Sequence, residues 1–272
     1  MLHKIRFTRF AMPFLDRITV YPIKSLDGVA VSEVRILQGG SLAHDRAFAI
    51  VDERGDFVNG KRDKRVHLIR ASFDAGIRTV TLRVQGSDRS QSFRLEDEVQ
   101  ALEDWLSDFF GFRVRMSQNA VNGFPDDTEA WGPTVVSRGT LEEVAAWFGG
   151  LSAEEAQARF RPNLILGGVP AFWEDRLFGT PGVSVGFEVG AVRFEGVNPC
   201  QRCVVPTRDP RTGEVIRGFQ RRFSEKRKET LPEWAAVSRF DPFYRLSVNT
   251  RIPPSEAGKV VKVGDEVKII HI

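Results

Sequence analysis

Cysteine is nearly absent. The 272-residue chain has two, Cys200 and Cys203, and only four histidines, His3, His44, His67 and His271. With so few thiols there is no disulfide framework, and nothing points to an oxidising compartment; a cytoplasmic protein is expected. The chain also lacks an apolar run long enough to cross a bilayer, so no transmembrane helix and no membrane partner are expected. Strong charge of one sign is missing too, the net value being +3. The one dense basic run, Arg217 to Lys228, comes without the aromatic platforms or recognition helix of nucleic-acid binders, and it is expected to be a solvated loop with no nucleic-acid partner. The first fourteen residues hold His3, Lys4, Arg6 and Arg9 and no acid. They lack the apolar core of a secretory signal, so a short unstructured leader is expected. Internal repeats and low-complexity tracts are absent.

What the chain does have is alternation. At 42% hydrophobic and 28% charged residues, it can bury one large core or two modest ones. Short β-rich runs at 16–23, 29–37, 46–52, 68–73, 78–84 and 91–95, broken by Gly and Asp turns, suggest a small barrel. Leu95, Val99, Leu102, Leu106 and Phe109 recur at helical intervals, and Gly111 stands where a left-handed cap belongs. Residues 124–132, rich in Asp, Gly and Pro, read as the passage between two halves. A strand follows at 133–137. Thr140 is the candidate cap of a helix through Leu141, Val144 and Trp147, and Ser152 to Glu155 is a capping box opening another to about Arg159. Further strands are expected at 164–166, 183–189, 191–197, 244–250 and 259–270.

Both cysteines fall in one turn, Asn198 to Gly213. Their C-x-x-C spacing fits half a zinc site, a dithiol pair, a single reactive thiolate, or two small buried side chains on a strand. The histidines form no second pair at zinc-finger spacing, which counts against zinc. Val204, Val205 and Pro206 follow Cys203 and disfavour the helix that a thioredoxin-like pair would open. The segment reads as strand, tight corner, strand. Arg202 and Arg208 flank Cys203 and would favour its thiolate if they turn inward. Asp209-Pro210-Arg211-Thr212-Gly213 is a turn with a mechanism: the Asp carboxylate can accept from amides ahead, Pro fixes one dihedral, and Gly supplies a positive one.

Cys203 to Gly213, taken with Tyr21-Pro22-Ile23-Lys24-Ser25, Asp45-Arg46, Phe160-Arg161-Pro162-Asn163 and Val263-Gly264-Asp265, resembles the MOSC family, named for the C-terminal domain of molybdenum-cofactor sulfurase. Order and spacing are most similar to the two-part branch of amidoxime-reducing components, which carries an N-terminal β-barrel. The resemblance runs from about Leu15 to the end. It implies an α+β, mostly β fold: an N-terminal barrel over residues 14–125 packed against a barrel-like MOSC domain with a few helices over residues 126–272.

The resemblance further implies a molybdenum cofactor (Mo-molybdopterin) between the two parts. Cys203 would be the catalytic and metal-binding thiolate, a soft ligand suited to that metal. Lys24, Ser25 and Arg46 would hold the cofactor's phosphate end, with Arg161 and Asn163 against the pterin and Arg202 beside the sulfur. Relatives commonly read Ser-Glu-Ala-Ser-Leu where this chain has Ser137-Arg138-Gly139-Thr140-Leu141, so a contact from Ser137 is the weakest of the set. The implied activity is two-electron reduction of small N-hydroxylated substrates. With no cysteines for an iron–sulfur cluster before Ile272, electrons are expected from a separate ferredoxin- or flavin-reductase-like protein, for which the basic run is a candidate docking surface. The alternative is a carrier or sensor of the cofactor or of sulfur without reductase activity.

Overall fold

The computed structural model describes residues 12–270, so most of the expected leader, His3 and His271 lie outside the described residues. Strands β1 (Phe14–Val20), β2 (Val29–Val31), β3 (Glu33–Arg35), β4 (Phe48–Asp52), β5 (Ile69–Phe73), β6 (Thr79–Val84) and β7 (Ser90–Arg94) lead to helix α1 (Val99–Phe110) and β8 (Val114–Gln118). Then come β9 (Val135–Ser137), α2 (Arg138–Trp147), α3 (Ala153–Phe160), β10 (Leu164–Gly167), β11 (Val185–Val189), β12 (Val192–Gln201), α4 (Phe219–Glu229), β13 (Arg245–Arg251), β14 (Val260–Lys262) and β15 (Val267–Ile269). The fold is α+β and mostly β.

In the N-terminal half, β5, β6 and β7 form an antiparallel meander and β4 pairs with β8. These groups are hydrogen-bonded separately and wrap one core that includes Ile23, Ile50, Phe93, Leu102 and Leu106. The larger sheet has eight strands in the order β15-β11-β12-β13-β9-β10-β1-β2. It takes β1 and β2 from the beginning of the chain: Ile18 pairs with Leu164 on one side and Val31 on the other. β3 in turn pairs with β14. The expected division at residues 125 and 126 is therefore not a division between sheets. Leu15, Ile18 and Val20 are buried and share one core with Val135, Leu164 and Phe194. On β1 the residues facing this core leave water only when the C-terminal strands cover them.

Several expected elements form with the expected chemistry. Gly111 ends α1 at φ 69°, its N–H bonding the Ser107 carbonyl, and Ser152 caps α3 by accepting from the Glu155 amide. Others differ. α2 is capped by Ser137 and not by Thr140: Ser137 is extended at the end of β9, and its hydroxyl accepts from the Thr140 amide. The chain turns from strand to helix without a linker, so the cap falls three residues early. The basic run is a helix, α4, not a loop. Phe219, Phe223 and Arg227 recur every four residues and are buried, with the two phenylalanines against Trp147, Phe148, Phe160 and Tyr244. No helix among the described residues is long and apolar enough to cross a membrane.

Candidate functional site

Three loops and the end of one strand converge on a cleft of about 1110 Å³ between the halves. Lys24, Ser25, Arg46, Arg161, Asn163, Arg202 and Cys203 all line it. Ser137 does not: it is fully buried, bonded to Thr140 Oγ1 at 2.8 Å and to the Pro170 carbonyl at 3.3 Å, and its capping role accounts for it.

The backbone marks three of these residues, along with His44, Ile77, Phe172 and Ser247 elsewhere. Ser25, Arg46 and Arg161 adopt left-handed φ values of 75°, 51° and 52°, a conformation that costs a non-glycine residue about 1–3 kcal/mol and tends to persist at functional positions. Arg161 is the residue on which α3 ends. That turn throws its guanidinium back over the ring of Tyr21, 4.1 Å from the centroid. Arg46 lies over the same ring at 5.3 Å. The Tyr21 hydroxyl donates to the Pro162 carbonyl at 3.2 Å, and burial pushes its pKa up to about 12, with Arg161 and Arg46 pulling the other way.

Each cation near the first loop has a neighbour. The Lys24 ammonium donates to the Phe124 carbonyl at 2.8 Å and to Asp126, exposed to the cleft, at 2.6 Å. Burial holds the Lys24 pKa below its usual value, with Asp126 opposing. Arg46 bonds Asp45 and reaches Asn163 Oδ1 at 3.3 Å. Burial opposes the Arg46 charge, but Asp45 and Asp126 outweigh it and raise the pKa. Asn163 is held on three sides: Nδ2 donates to the Thr19 carbonyl at 3.1 Å, and Oδ1 also accepts from the Thr134 amide and hydroxyl.

On the far wall β12 runs through Cys200 and stops at Gln201, with bulges between Gly196 and Asn198 and between Pro199 and Gln201. Cys203 therefore sits just before a bend at Val204 and a 3₁₀ turn, Val205–Thr207, where a second strand was expected. Pro206 starts that turn within a position that spares its missing donor. Both thiols are free and half-buried. Arg202 does turn inward, but its Nη1 donates to Cys200 Sγ at 3.1 Å while Nη2 donates to the Phe160 carbonyl at 2.6 Å. Arg208 points to the Gly213 carbonyl at 3.2 Å. The hydrogen bonds of the flanking guanidiniums thus go to Cys200 and the turn, not to Cys203. Burial opposes the Arg202 charge; Cys200, Cys203 and Asp126 more than compensate. The Asp209 turn forms as expected, its carboxylate accepting from the Arg211 and Thr212 amides at 2.9 and 2.8 Å, with Gly213 at φ 73°.

Some buried donors of this wall remain without partners: Arg161 Nη2, Arg202 Nε, Arg208 Nε, Arg70 Nε and His67 Nε2. Such groups are expensive in an interior unless a ligand or water satisfies them. His67, Arg70, Tyr21 and Asp126 were not among the expected site residues. Tyr21 and Arg208 did stand inside the quoted motifs, whereas nothing in the spacing of His67 and Arg70 marked them.

Residues 12–154 match the family model described as the MOSC N-terminal beta barrel domain, and residues 134–268 match the MOSC domain. The mitochondrial amidoxime-reducing component 1 of Homo sapiens is 24% identical over 268 residues, covering 83% of this chain and 72% of its own length. The molybdenum cofactor sulfurase of Bos taurus is 23% identical over 265 residues, covering 80% of this chain; the match spans 29% of the sulfurase. The solved YUAD protein of Bacillus subtilis aligns with 95% of this chain and 96% of its own at 11% identity, with a TM-score of 0.38.

Proposed function

Because the chain belongs to the MOSC family, with both the N-terminal barrel and the MOSC domain matched, we propose that it is a molybdenum-cofactor enzyme reducing N-hydroxylated compounds. Cys203 is the protein's thiolate ligand, and a separate protein delivers the electrons. The observation that carries this reading is the convergence of Cys203 with Lys24, Ser25, Arg46, Arg161 and Asn163 on one cleft. A molybdopterin fits the donor set. Its polar ring and phosphate supply acceptors for Arg161 Nη2 and Arg202 Nε, which the described residues leave unpartnered. Among those residues, no three His, Cys, Asp or Glu side chains gather as a protein-only metal site; a metal at Cys203 would complete its ligand set from the cofactor.

When bound, the cofactor supplies two-electron chemistry that, with two protons, takes the oxygen of an N–OH group away as water. The protein orients the reactants and shields them from solvent. Lys24, Ser25 and Arg46 grip the phosphate end, Arg161 and Asn163 fix the ring system, and Thr134 and Thr19 lock the Asn163 amide in place. At about 1110 Å³ the cleft is large for a small-ligand site, so a substrate fits beside the cofactor.

The test compares Cys203→Ser with Cys200→Ser in protein purified with its cofactor, measuring molybdenum content and turnover of benzamidoxime and N-hydroxylated bases with reduced viologen. Cys203→Ser is expected to abolish turnover and Cys200→Ser to be far milder. Equal losses would replace the single-ligand assignment with a dithiol one.

One observation favours a second reading. The guanidinium hydrogen bond goes to Cys200 Sγ, which suits Cys200 as a carrier of transferable sulfur, and one relative is named a sulfurase. A persulfide on Cys200, with transfer of sulfur or cofactor to an acceptor apo-enzyme and no turnover of N-hydroxylated compounds, would establish the carrier instead.

A further inference from the structure

The cleft holds a second group of side chains, three arginines and a neutral histidine, that these cofactor contacts leave unused, at the place where the two halves clasp. The 3₁₀ turn Lys64–Leu68 of the N-terminal half packs beneath the Asp209–Gly213 turn. Gly213 approaches so closely that an added Cβ would stand 2.8 Å from the Lys64 carbonyl and 3.5 Å from His67 Cβ. Arg70 stitches the seam, its Nη2 donating to the carbonyls of His67 at 2.8 Å and Pro210 at 3.0 Å. Arg208 and Arg211 come from the turn itself, and all four side chains, His67 included, line the cleft.

Carboxylates do not balance them. Asp27 is 3.4 Å from Arg70 and also accepts from the Ala71 amide. Asp209 spends its oxygens on its own turn and on Arg159, 3.7 Å away. Among the described residues Arg211 has no side-chain hydrogen bond or ion pair, and Arg208 donates only to Gly213. The Nε atoms of Arg70 and Arg208 and Nε2 of His67 are buried without partners. Burial and the charges of Arg208, Arg161 and Arg70 push the His67 pKa down to about 4. Of Arg70, Arg208 and Arg211 only Arg70 has a paired carboxylate, the 3.4 Å contact with Asp27, whereas Lys24 and Arg46 each hold one closely, Asp126 or Asp45. Repulsion among clustered guanidiniums turns into charge-assisted hydrogen bonds once a multiply charged oxyanion sits among them.

We propose that His67, Arg70, Arg208 and Arg211 form a phosphate subsite of the cleft, separate from Lys24 and Arg46, that takes the phosphoryl group of a phosphorylated substrate or of a cofactor bearing more than one phosphate. Whose phosphate it is rests on the function proposed above; the binding itself is measured without it. The experiment titrates inorganic phosphate and pyrophosphate calorimetrically into the full-length chain, purified with and without cofactor. Cofactor-free protein is expected to bind pyrophosphate. Arg208→Gln combined with Arg211→Gln should weaken this at least tenfold, and Arg221→Gln, exposed on α4 and outside the cleft, should leave it within twofold. Arg211→Gln alone, which removes no internal contact, should give part of the loss even if the double variant folds poorly.

The two sources separate in the holo-protein. A substrate phosphate predicts that holo-protein still binds pyrophosphate, that the double variant keeps its molybdenum, and that KM rises selectively for phosphorylated N-hydroxylated nucleosides. A cofactor phosphate predicts that holo-protein no longer binds, that the double variant loses molybdenum, and that the released cofactor carries more than one phosphate per pterin. Unchanged pyrophosphate affinity in the Arg208 and Arg211 variants, or an equal loss in Arg221→Gln, would overturn the separate subsite.

Discussion

Two arginines of this molecule sit over aromatic rings at nearly the same distance, yet their surroundings differ. Arg161 sits 4.1 Å from the Tyr21 centroid at the cleft, and among the described residues no carboxylate or carbonyl accepts from it. Arg227 lies 4.2 Å from Phe172 and 4.6 Å from Phe240, sealed inside the aromatic layer behind the cleft, where Asp175 meets it. The charge with no route to a ligand is neutralised by the chain itself. The charge facing the cleft has no carboxylate; both arginines keep unpartnered donors, Nη2 on Arg161 and Nε and Nη1 on Arg227, and only those of Arg161 lie at the cleft. A buried ion pair is held by mutual need, since removing either partner strands the other, whereas a stacked arginine at a wall keeps its fork available for recognition.

The sharpest way to break the comparison is to remove the internal partner. Asp175→Ala should cost about 3–5 kcal/mol in urea unfolding because Arg227 is left buried and unpaired, while Arg161→Met should stay within about 1 kcal/mol. Equal effects would show that the two arginines serve the fold alike.

Binding should show the reverse. Arg161→Gln removes a charge-assisted contact worth about 1.5–3 kcal/mol, one to two decades of cofactor affinity. The protein should purify with less molybdenum and pterin and an unchanged melting temperature. Full occupancy in Arg161→Gln would make this arginine a structural one.

Beside Arg227 lies a carboxyl that sharpens the contrast. Burial and neighbouring Asp175 push the Glu174 pKa up to about 7, from an ordinary 4.5, while Thr140 Oγ1 donates to it at 3.0 Å. The folded chain thus keeps a proton that the unfolded chain releases above pH 4.5. Its stabilising contribution is complete below that pH and disappears as pH rises through about 7. Melting temperature should fall between pH 5 and 8, and Glu174→Gln should flatten the fall, corresponding to about 1–3 kcal/mol. The smallest effect belongs to the cleft's most exposed pair. Asp126→Asn should change unfolding free energy by less than about 1 kcal/mol, since Asp126 faces solvent, yet it should alter cofactor loading by freeing Lys24.

Much of this was legible in the chain because some residues have narrow physical uses. Gly111 and Gly213 supply positive φ, Ser152 caps its helix, and Asp209 orders its own turn. From the quoted motifs, Lys24, Ser25, Arg46, Arg161, Asn163 and Cys203 line one cleft. α4 was obscured because an arginine occupies one of its three buried positions, so its inward face looked as charged as its outer one. β8 escaped because only Val114 of its five residues is fully buried. The inward turn of Arg202 toward Cys200 depends on Phe160, distant in sequence, which takes its second nitrogen. The His67 and Arg70 cluster depends on a seam between halves that no local pattern encodes.

The placement of β1 between β10 and β2 governs how the protein is made. As the chain leaves the ribosome, residues 14–20 emerge early and can pair with β2, but their second partner strand is not available until residues 164–167 follow. β3 waits longer still, for β14. Until then Leu15, Ile18 and Val20 present an apolar edge, the kind of surface that chaperones protect and that aggregates when left uncovered. Such distant pairings make for slow folding. They also mean that residues 14–125, expressed alone, would lack β10, so the loop at Tyr21 acquires its final shape only after residues 164–167 have been made.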